Sequence, residues 1–419
     1  MVDRSFHFPH AIPRRTHGHG MNIFAKLGCR AYQLAFRMAM PILPYRNPEI
    51  IESVSDIPEA LKKRGIESVL LVTDNFLRAS GATAALESAL EAADIRCAVY
   101  DRTRPNPTVE NVEAAREIYI RENCRAIIAF GGGSSMDCAK ATGARIAFPN
   151  KTLDQLKGLL RVWRKLPMLI AVPTTAGTGS ETTVTAVITD PETHHKYTMN
   201  NFTMIPSHAV LDPEVTFSLP RHLTATTGMD ALTHAVEAYI GRSTTRETRA
   251  LAFEATKLVF ENIEAAYNDG TNRAARANML RAAHLAGIAF SKSYVGYIHA
   301  VAHSLGGQYN IPHGLANSVL LPIVLEDYGE IIHEKLRDMA LAAGVANEAD
   351  SPAAAAGKFI DAIRVLNTCM GIPSTIEGIQ PADIPLMARH AAREANPLYP
   401  VPVLMTAKEL ERYYRKVSA

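Results

Sequence analysis

"SVLLVTDNFLRASGATAALESALEAADIRCAVYD", residues 68–101, holds two short apolar runs with a helix-spaced stretch between them. The run at 68–74 shows no polar–apolar alternation, so as a strand it must be covered on both faces. The spacing predicts a strand at 68–74, one helix over 75–93 and a second strand at 96–101. Beyond this stretch, "VENVEAAREIYIREN" (109–123) has a helical period, and "AIIAFGGG" (126–133) is a third apolar run that ends in glycines. A βαβαβ order makes a parallel sheet with helices on both faces, and such sheets bind ligands beyond the carboxyl ends of their strands.

Further on, "MLIAVPTTAGTGSE" (168–181) opens a β-rich stretch to about residue 212, with a hairpin expected at "TDPETHHKY" (189–197) whose His194 and His195 sit in an exposed turn. From "DPEVTFSLP" (212–220) the helical period takes over almost to Ala419. The expected architecture is an α/β N-terminal dinucleotide-binding domain with a Rossmann-like parallel sheet, followed by an all-α C-terminal domain. The expected bounds are 1–45 for a basic extension, 46–215 for the α/β part and 216–419 for the helical part. A chain of 419 residues suits two cores, because single cores stop growing near ~250–300 residues.

Composition narrows the function classes. A net charge of +2 gives no broad cationic field, so nucleic acid is not an expected partner. The five cysteines, Cys29, Cys97, Cys124, Cys138 and Cys369, have no CxxC spacing and read as reduced thiols. No apolar run approaches the ~18 residues of a membrane-spanning helix. A soluble, cytoplasmic protein is expected. Residues 1–48 are the exception: "HFPHAIPRRTHGHG" is rich in His and Arg, and 21–46 contains no acid. An organelle transit segment, a membrane-surface helix, and a tail followed by a helix docked on a domain or subunit all fit that pattern. His7, His10, His17 and His19 read as solvated.

Two loops carry cofactor chemistry. "AFGGGSSMDCAKA" (129–141) is a strand, three glycines and a helix that starts at a serine. Glycines let backbone approach a ligand, and free N–H groups at a helix start favour phosphate. "PTTAGTGSETT" (173–183) follows another strand and is dense in hydroxyls that can bond a nucleotide's sugar or base edge. Asp74, at the end of the first strand, can accept from a ribose diol and would repel a 2'-phosphate, which favours NAD over NADP.

The helical part concentrates imidazoles. Asp230 and His234 of "GMDALTHAVEAY" (228–239) are four apart on one helix face. His299 and His303 of "YIHAVAHSLGG" repeat that spacing, the glycines 306 and 307 are expected to end the helix, and His313 starts the next one. His208 and His284, alone on apolar segments, read as core histidines. Burying so many polar groups is costly unless something satisfies them, and a divalent metal does. One carboxylate with imidazoles suits Fe(II), Zn(II) or Mn(II), and the ligand chemistry does not choose among them. Five candidates exceed what an open catalytic centre needs. One histidine is left for proton relay, and spacing does not say which.

With these motifs and "NPLYPVP" (396–402) in one order, the chain resembles the iron-containing (group III) alcohol dehydrogenases. The resemblance implies reversible NAD-linked alcohol oxidation in a cleft between the two domains, Fe(II) as the metal, and homodimers or larger assemblies. It implies Asp230, His234, His299 and His313 as ligands and His303 as the non-ligand histidine near substrate. On the cofactor side it points to Asp74, Asn106, Gly132, Gly133, Ser134, Ser135, Met136, Asp137, Thr174, Thr175, Thr178, Thr183, Thr185, Lys196 and Thr216. Residues 1–45 depart from the family's usual start. A hydroxyacid–oxoacid transhydrogenase of the same family, and a metal-dependent hydrolase or lyase whose glycine turn binds a substrate phosphate, are the rival readings.

Overall fold

A computed structural model describes residues 21–189 and 196–419. His7, His10, His17, His19, His194 and His195 lie outside the described residues, as does the side chain of Lys196. Nine strands are present among the described residues: β1 (Glu49–Ile51), β2 (Ser68–Val72), β3 (Arg96–Tyr100), β4 (Ala126–Gly131), β5 (Gly158–Leu159), β6 (Met168–Pro173), β7 (Thr185–Thr189), β8 (Lys196–Asn200) and β9 (His208–Val210). Six form one sheet in the order β1-β9-β6-β4-β2-β3, with every pairing parallel. In register, Leu70 lies between Ala98 and Ile127.

The absence of alternation in the strand sequences follows from this sheet. Leu70, Val72, Ile127 and Ala129 pack into one helical layer. Val69, Leu71, Ile128 and Phe130 pack into the other. All eight are at most 1% exposed. The stretch expected as one helix over 75–93 is two, Asn75–Ala79 and Ala84–Ala92. Gly81 at φ 77° makes the break, a backbone conformation that glycine adopts at no steric cost. The hairpin expected at 189–197 is β7 and β8, antiparallel from Thr185↔Asn200 to Thr189↔Lys196, and with β5 it makes a second small sheet.

From Arg221 to Val417 the named elements are helices. The Arg221–Ile240 helix is buried at every position from Gly228 onward. It is therefore the central helix of its half, wrapped by Arg246–Asn268, Arg273–Ser293 and His313–Tyr328. Its polar side chains Asp230, His234 and Glu237 consequently sit in a core and need partners. The Tyr297–Tyr309 helix does not stop at Gly306–Gly307 as expected. It runs through both and ends at Asn310, whose φ of 56° is the left-handed cap conformation. Among the described residues no helix is long and apolar enough to cross a membrane.

Candidate metal and cofactor site

The carboxyl edge of the large sheet gathers most of the expected cofactor residues. Asp74 follows β2, Gly132 to Ser134 follow β4, and Thr174 to Thr178 follow β6, on three adjacent strands. The helix after β4 begins at Gly133, one residue before the expected serine, with Gly132 as its extended N-cap. Asp74 caps the Asn75–Ala79 helix, its Oδ1 accepting from Leu77 N at 2.9 Å. Asn106 N donates to Ser134 Oγ at 3.4 Å, and its Nδ2 donates across the junction to Asn310 Oδ1 at 3.2 Å.

Other residues of that set have internal partners. Ser135 and Met136 are buried. Asp137 accepts from Ser180 Oγ at 3.2 Å and from Val187 N at 3.1 Å. Thr216 is buried and donates to the Pro213 carbonyl at 2.6 Å. Thr185 donates to Asn200 Oδ1 at 2.6 Å. Lys140, which sequence reading passed over, is fully buried on the Gly133–Ala147 helix. Its Nζ donates to the carbonyls of Ser180, Thr183 and Thr185 at 2.6, 3.1 and 2.9 Å and to the Thr183 hydroxyl at 2.7 Å. Burial lowers Lys140 to about 8 against the charge of Asp137, and burial raises Asp137 to about 6 against that of Lys140. This lysine fastens the loop after β6 to the helix of the glycine turn, so the two expected cofactor loops are held as one unit.

The helical half supplies the second cluster. One donor atom from each of Asp230, His234, His299 and His313 lies within 4.8 Å of the others. The rings of His234 and Phe290 stack at 4.2 Å, and those of His234 and His299 at 4.4 Å. His299 Nε2 and His313 Nε2 face Asp230 Oδ1 at 3.7 and 3.5 Å. Burial pulls both His234 and His299 below the ordinary imidazole value, and for His299 the neighbouring His234, His313 and His303 add to it. The rings are thus kept neutral, as metal ligation requires.

Glu237, seven residues after Asp230 and on the same helix face, completes the arrangement. Its Oε2 accepts from His299 Nδ1 at 2.6 Å, and its Oε1 accepts from Ile298 N at 2.9 Å. A Cβ at position 296 would lie 2.6 Å from Glu237 Oε1, so only glycine admits the carboxylate there. Burial raises Glu237 to about 7, against the backbone N–H groups of Gly296, Ile298 and His299. With Nδ1 donating to Glu237, His299 Nε2 keeps its lone pair, is buried and has no hydrogen-bond partner. A lone pair turned toward a carboxylate oxygen in a buried place is the donor set of a cation site. The four side chains therefore fit a divalent metal.

His303 stands apart from this set. It is 42% exposed, its ring stacks on His313 at 5.1 Å, and its Nδ1 lies 2.7 Å from Glu394 Oε1. Burial would raise Glu394, but the charge and hydrogen bond of His303, the Tyr399 hydroxyl and the charge of His313 hold it below the ordinary carboxylate value. His284 and His208 are buried core histidines, 3.3 Å from Glu181 and 3.2 Å from Glu49 respectively. Sequence reading passed over Glu237, Glu394 and Asn317. Glu237 had a signal in the i, i+4, i+7 spacing after Asp230. Asn317 had one in its place four residues after His313, and its Nδ2 donates to Asp230 Oδ1 at 2.6 Å.

Fold and site together define a class: a parallel α/β half with a glycine turn at its ligand edge, joined to a helical half that carries an Asp/His₃ cluster at the junction. Residues 51–213 match the family described as iron-containing alcohol dehydrogenase, and 224–418 match the C-terminal part of the Fe-containing alcohol dehydrogenase family. Among its relatives, 1,3-propanediol dehydrogenase of Klebsiella pneumoniae is 40% identical over 87% of this chain and 95% of its own. The NAD-dependent methanol dehydrogenase of Bacillus methanolicus is 36% identical over 81% of this chain and 89% of its own. A crystal structure of 1,3-propanediol oxidoreductase superposes with a TM-score of 0.85 at 37% identity, covering 90% of this chain and 99% of that one. The chain belongs to the iron-containing alcohol dehydrogenase family and is an alcohol oxidoreductase. That membership sets aside the hydrolase and lyase readings.

Proposed function

We propose that this protein catalyses reversible, NAD-linked oxidation of a small neutral alcohol at the junction of the two halves, 46–215 serving the cofactor and 216–419 the metal. Asp230, His234, His299 and His313 are the ligands, with Fe(II) the metal that the family's description favours. The observation that carries this reading is the buried, partnerless Nε2 of His299 inside the four-residue cluster. When bound, the metal supplies a Lewis acid for the substrate oxygen and the nicotinamide a hydride acceptor.

The chain's own side chains do the rest. Asp230 brings negative charge to the cluster, and Glu237 holds His299 in one tautomer. His303, exposed beside the cluster, takes the hydroxyl proton and passes it to solvent, with Glu394 orienting its ring. Gly132, Gly133 and Ser134 receive the pyrophosphate at the helix start, and Asp74 Oδ2 is left for the ribose diol. Among the remaining cofactor residues, Asn106, Thr174, Thr175 and Thr178 line the same sheet edge. NAD dependence is also what the Bacillus methanolicus relative's name states of that enzyme.

Glu394 bears on substrate class. A hydroxy acid would bring its carboxylate toward this one, whereas an alcohol or diol hydroxyl can donate to it. The transhydrogenase reading is accordingly disfavoured. NADH formation across primary alcohols, terminal diols and 2-hydroxy acids tests the proposal: turnover is expected with the first two groups, and turnover confined to hydroxy acids would contradict it. For Glu237→Gln, the side-chain amide presents N–H to His299 Nδ1 and favours the tautomer whose Nε2 cannot ligate. Metal affinity is expected to fall by about 10–100-fold, read by competition with a chelator of known affinity. An unchanged affinity would remove Glu237 from the site.

A further inference from the structure

The N-terminal helix Ile23–Ala39 lies outside both segments matched to the family, yet its contacts lead to the active site. Its one buried residue is Gln33. Gln33 Nε2 donates to the carbonyls of Pro397 and Tyr399 at 3.0 and 2.7 Å. Arg30, held by Gln33 Oε1 at 2.7 Å, donates to the carbonyls of Val401 and Pro402 at 2.8 and 3.0 Å. Two side chains thereby fasten four carbonyls of the segment 397–402.

That segment carries Tyr399, whose buried hydroxyl donates to Glu394 Oε1 at 2.7 Å, the same oxygen that faces His303 Nδ1 at 2.7 Å. A second contact runs in parallel. Phe36 of the helix meets Tyr294 edge-on at 5.0 Å, and Tyr294 meets Tyr399 at 6.3 Å. Tyr294 has φ 63° and ψ 174°, a conformation that a tyrosine keeps only when its surroundings enforce it. It stands three positions before Tyr297, the first residue of the helix of His299 and His303.

We propose that the N-terminal helix is a positioning strap for His303: Gln33 and Arg30 fix the 397–402 segment, and Tyr399 with Glu394 transmits that placement to the imidazole. The strap rests on the reading of His303 given above. It makes Gln33, Arg30 and Tyr399 positioning residues, since none of them touches the metal cluster. A proton-handling ring displaced by about 1 Å loses up to ~100-fold in rate, and removing one anchor of several takes part of that.

The test is a double-mutant cycle on the full-length, metal-loaded protein. Gln33→Leu and Tyr399→Phe are each made with His303 present and with His303→Ala. With His303 present, kcat is expected to fall by roughly tenfold, at unchanged KM and metal content. In the His303→Ala background the same changes are expected to cost less than about twofold. Leu34→Ala, on the outward face of the same helix at 57% exposure, leaves kcat unchanged. Equal losses in both backgrounds would show a purely structural role and overturn the strap, as would no loss with either variant. Tyr399→Phe deletes a single hydroxyl and carries the cycle should Gln33→Leu not fold. If His303→Ala impairs turnover while both variants are silent, the strap alone fails. If His303→Ala is itself fully active, the reading of His303 fails first.

Discussion

His299→Ala is expected to yield protein that retains little metal and oxidises alcohols at least ~100-fold more slowly. The substitution removes one of four clustered donors and, with it, the only side chain bonded to Glu237 Oε2 among the described contacts. A buried carboxylate already raised to about 7 by its surroundings is left without its imidazole, so the cluster loses one donor and Glu237 loses its partner. Bound metal per chain, determined on protein purified without oxygen, and kcat with a terminal diol are the readouts. Full metal with full turnover would remove His299 from the site.

His303→Ala is expected to behave differently. Turnover should fall by ~10²–10⁴-fold, the range for a lost acid–base group, while most of the metal stays bound. The geometry separates the two histidines although they are four residues apart on one helix. His299 is buried with Nε2 turned into the cluster, whereas His303 is part-exposed with Nδ1 turned to Glu394. Stopped-assay turnover together with metal content distinguishes the outcomes. Loss of metal would make His303 a ligand, and undiminished turnover would remove it from proton transfer.

Much of the fold was legible because burial on both faces leaves a plain mark. The runs 69–72 and 126–130 are apolar at successive positions, and successive side chains enter alternate helical layers. What misled was the behaviour of glycine. Gly81 breaks a helix whose period continues on both sides, while Gly306 and Gly307 sit inside one. Their intrinsic cost of ~1 kcal/mol each is small beside the burial of Ile298, Val301 and Leu305 on the same helix.

The cluster was legible for a related reason. Asp230 with His234, and His299 with His303, lie at one-turn spacing on helices whose neighbouring positions are largely apolar. Spacing alone could not tell His299 from His303, because the difference lies in their partners, Glu237 and Glu394. Glu394 is 91 residues from His303 in sequence, and no local period reports such a contact. Lys140 was illegible too. A lysine in the middle of a helix is ordinarily solvated, and here the loop after β6 folds over it to offer five oxygen acceptors.

On the proposed assignment, alcohol oxidation depends on a metal held by Asp230, His234, His299 and His313. Anaerobic removal of metal with a chelator, followed by titration of Fe(II) back into the protein while NADH formation is recorded, tests it most directly. Activity is expected to vanish with the metal and to return in proportion to occupancy of the one such cluster among the described residues. NAD-linked alcohol turnover that persists in metal-free protein would contradict it.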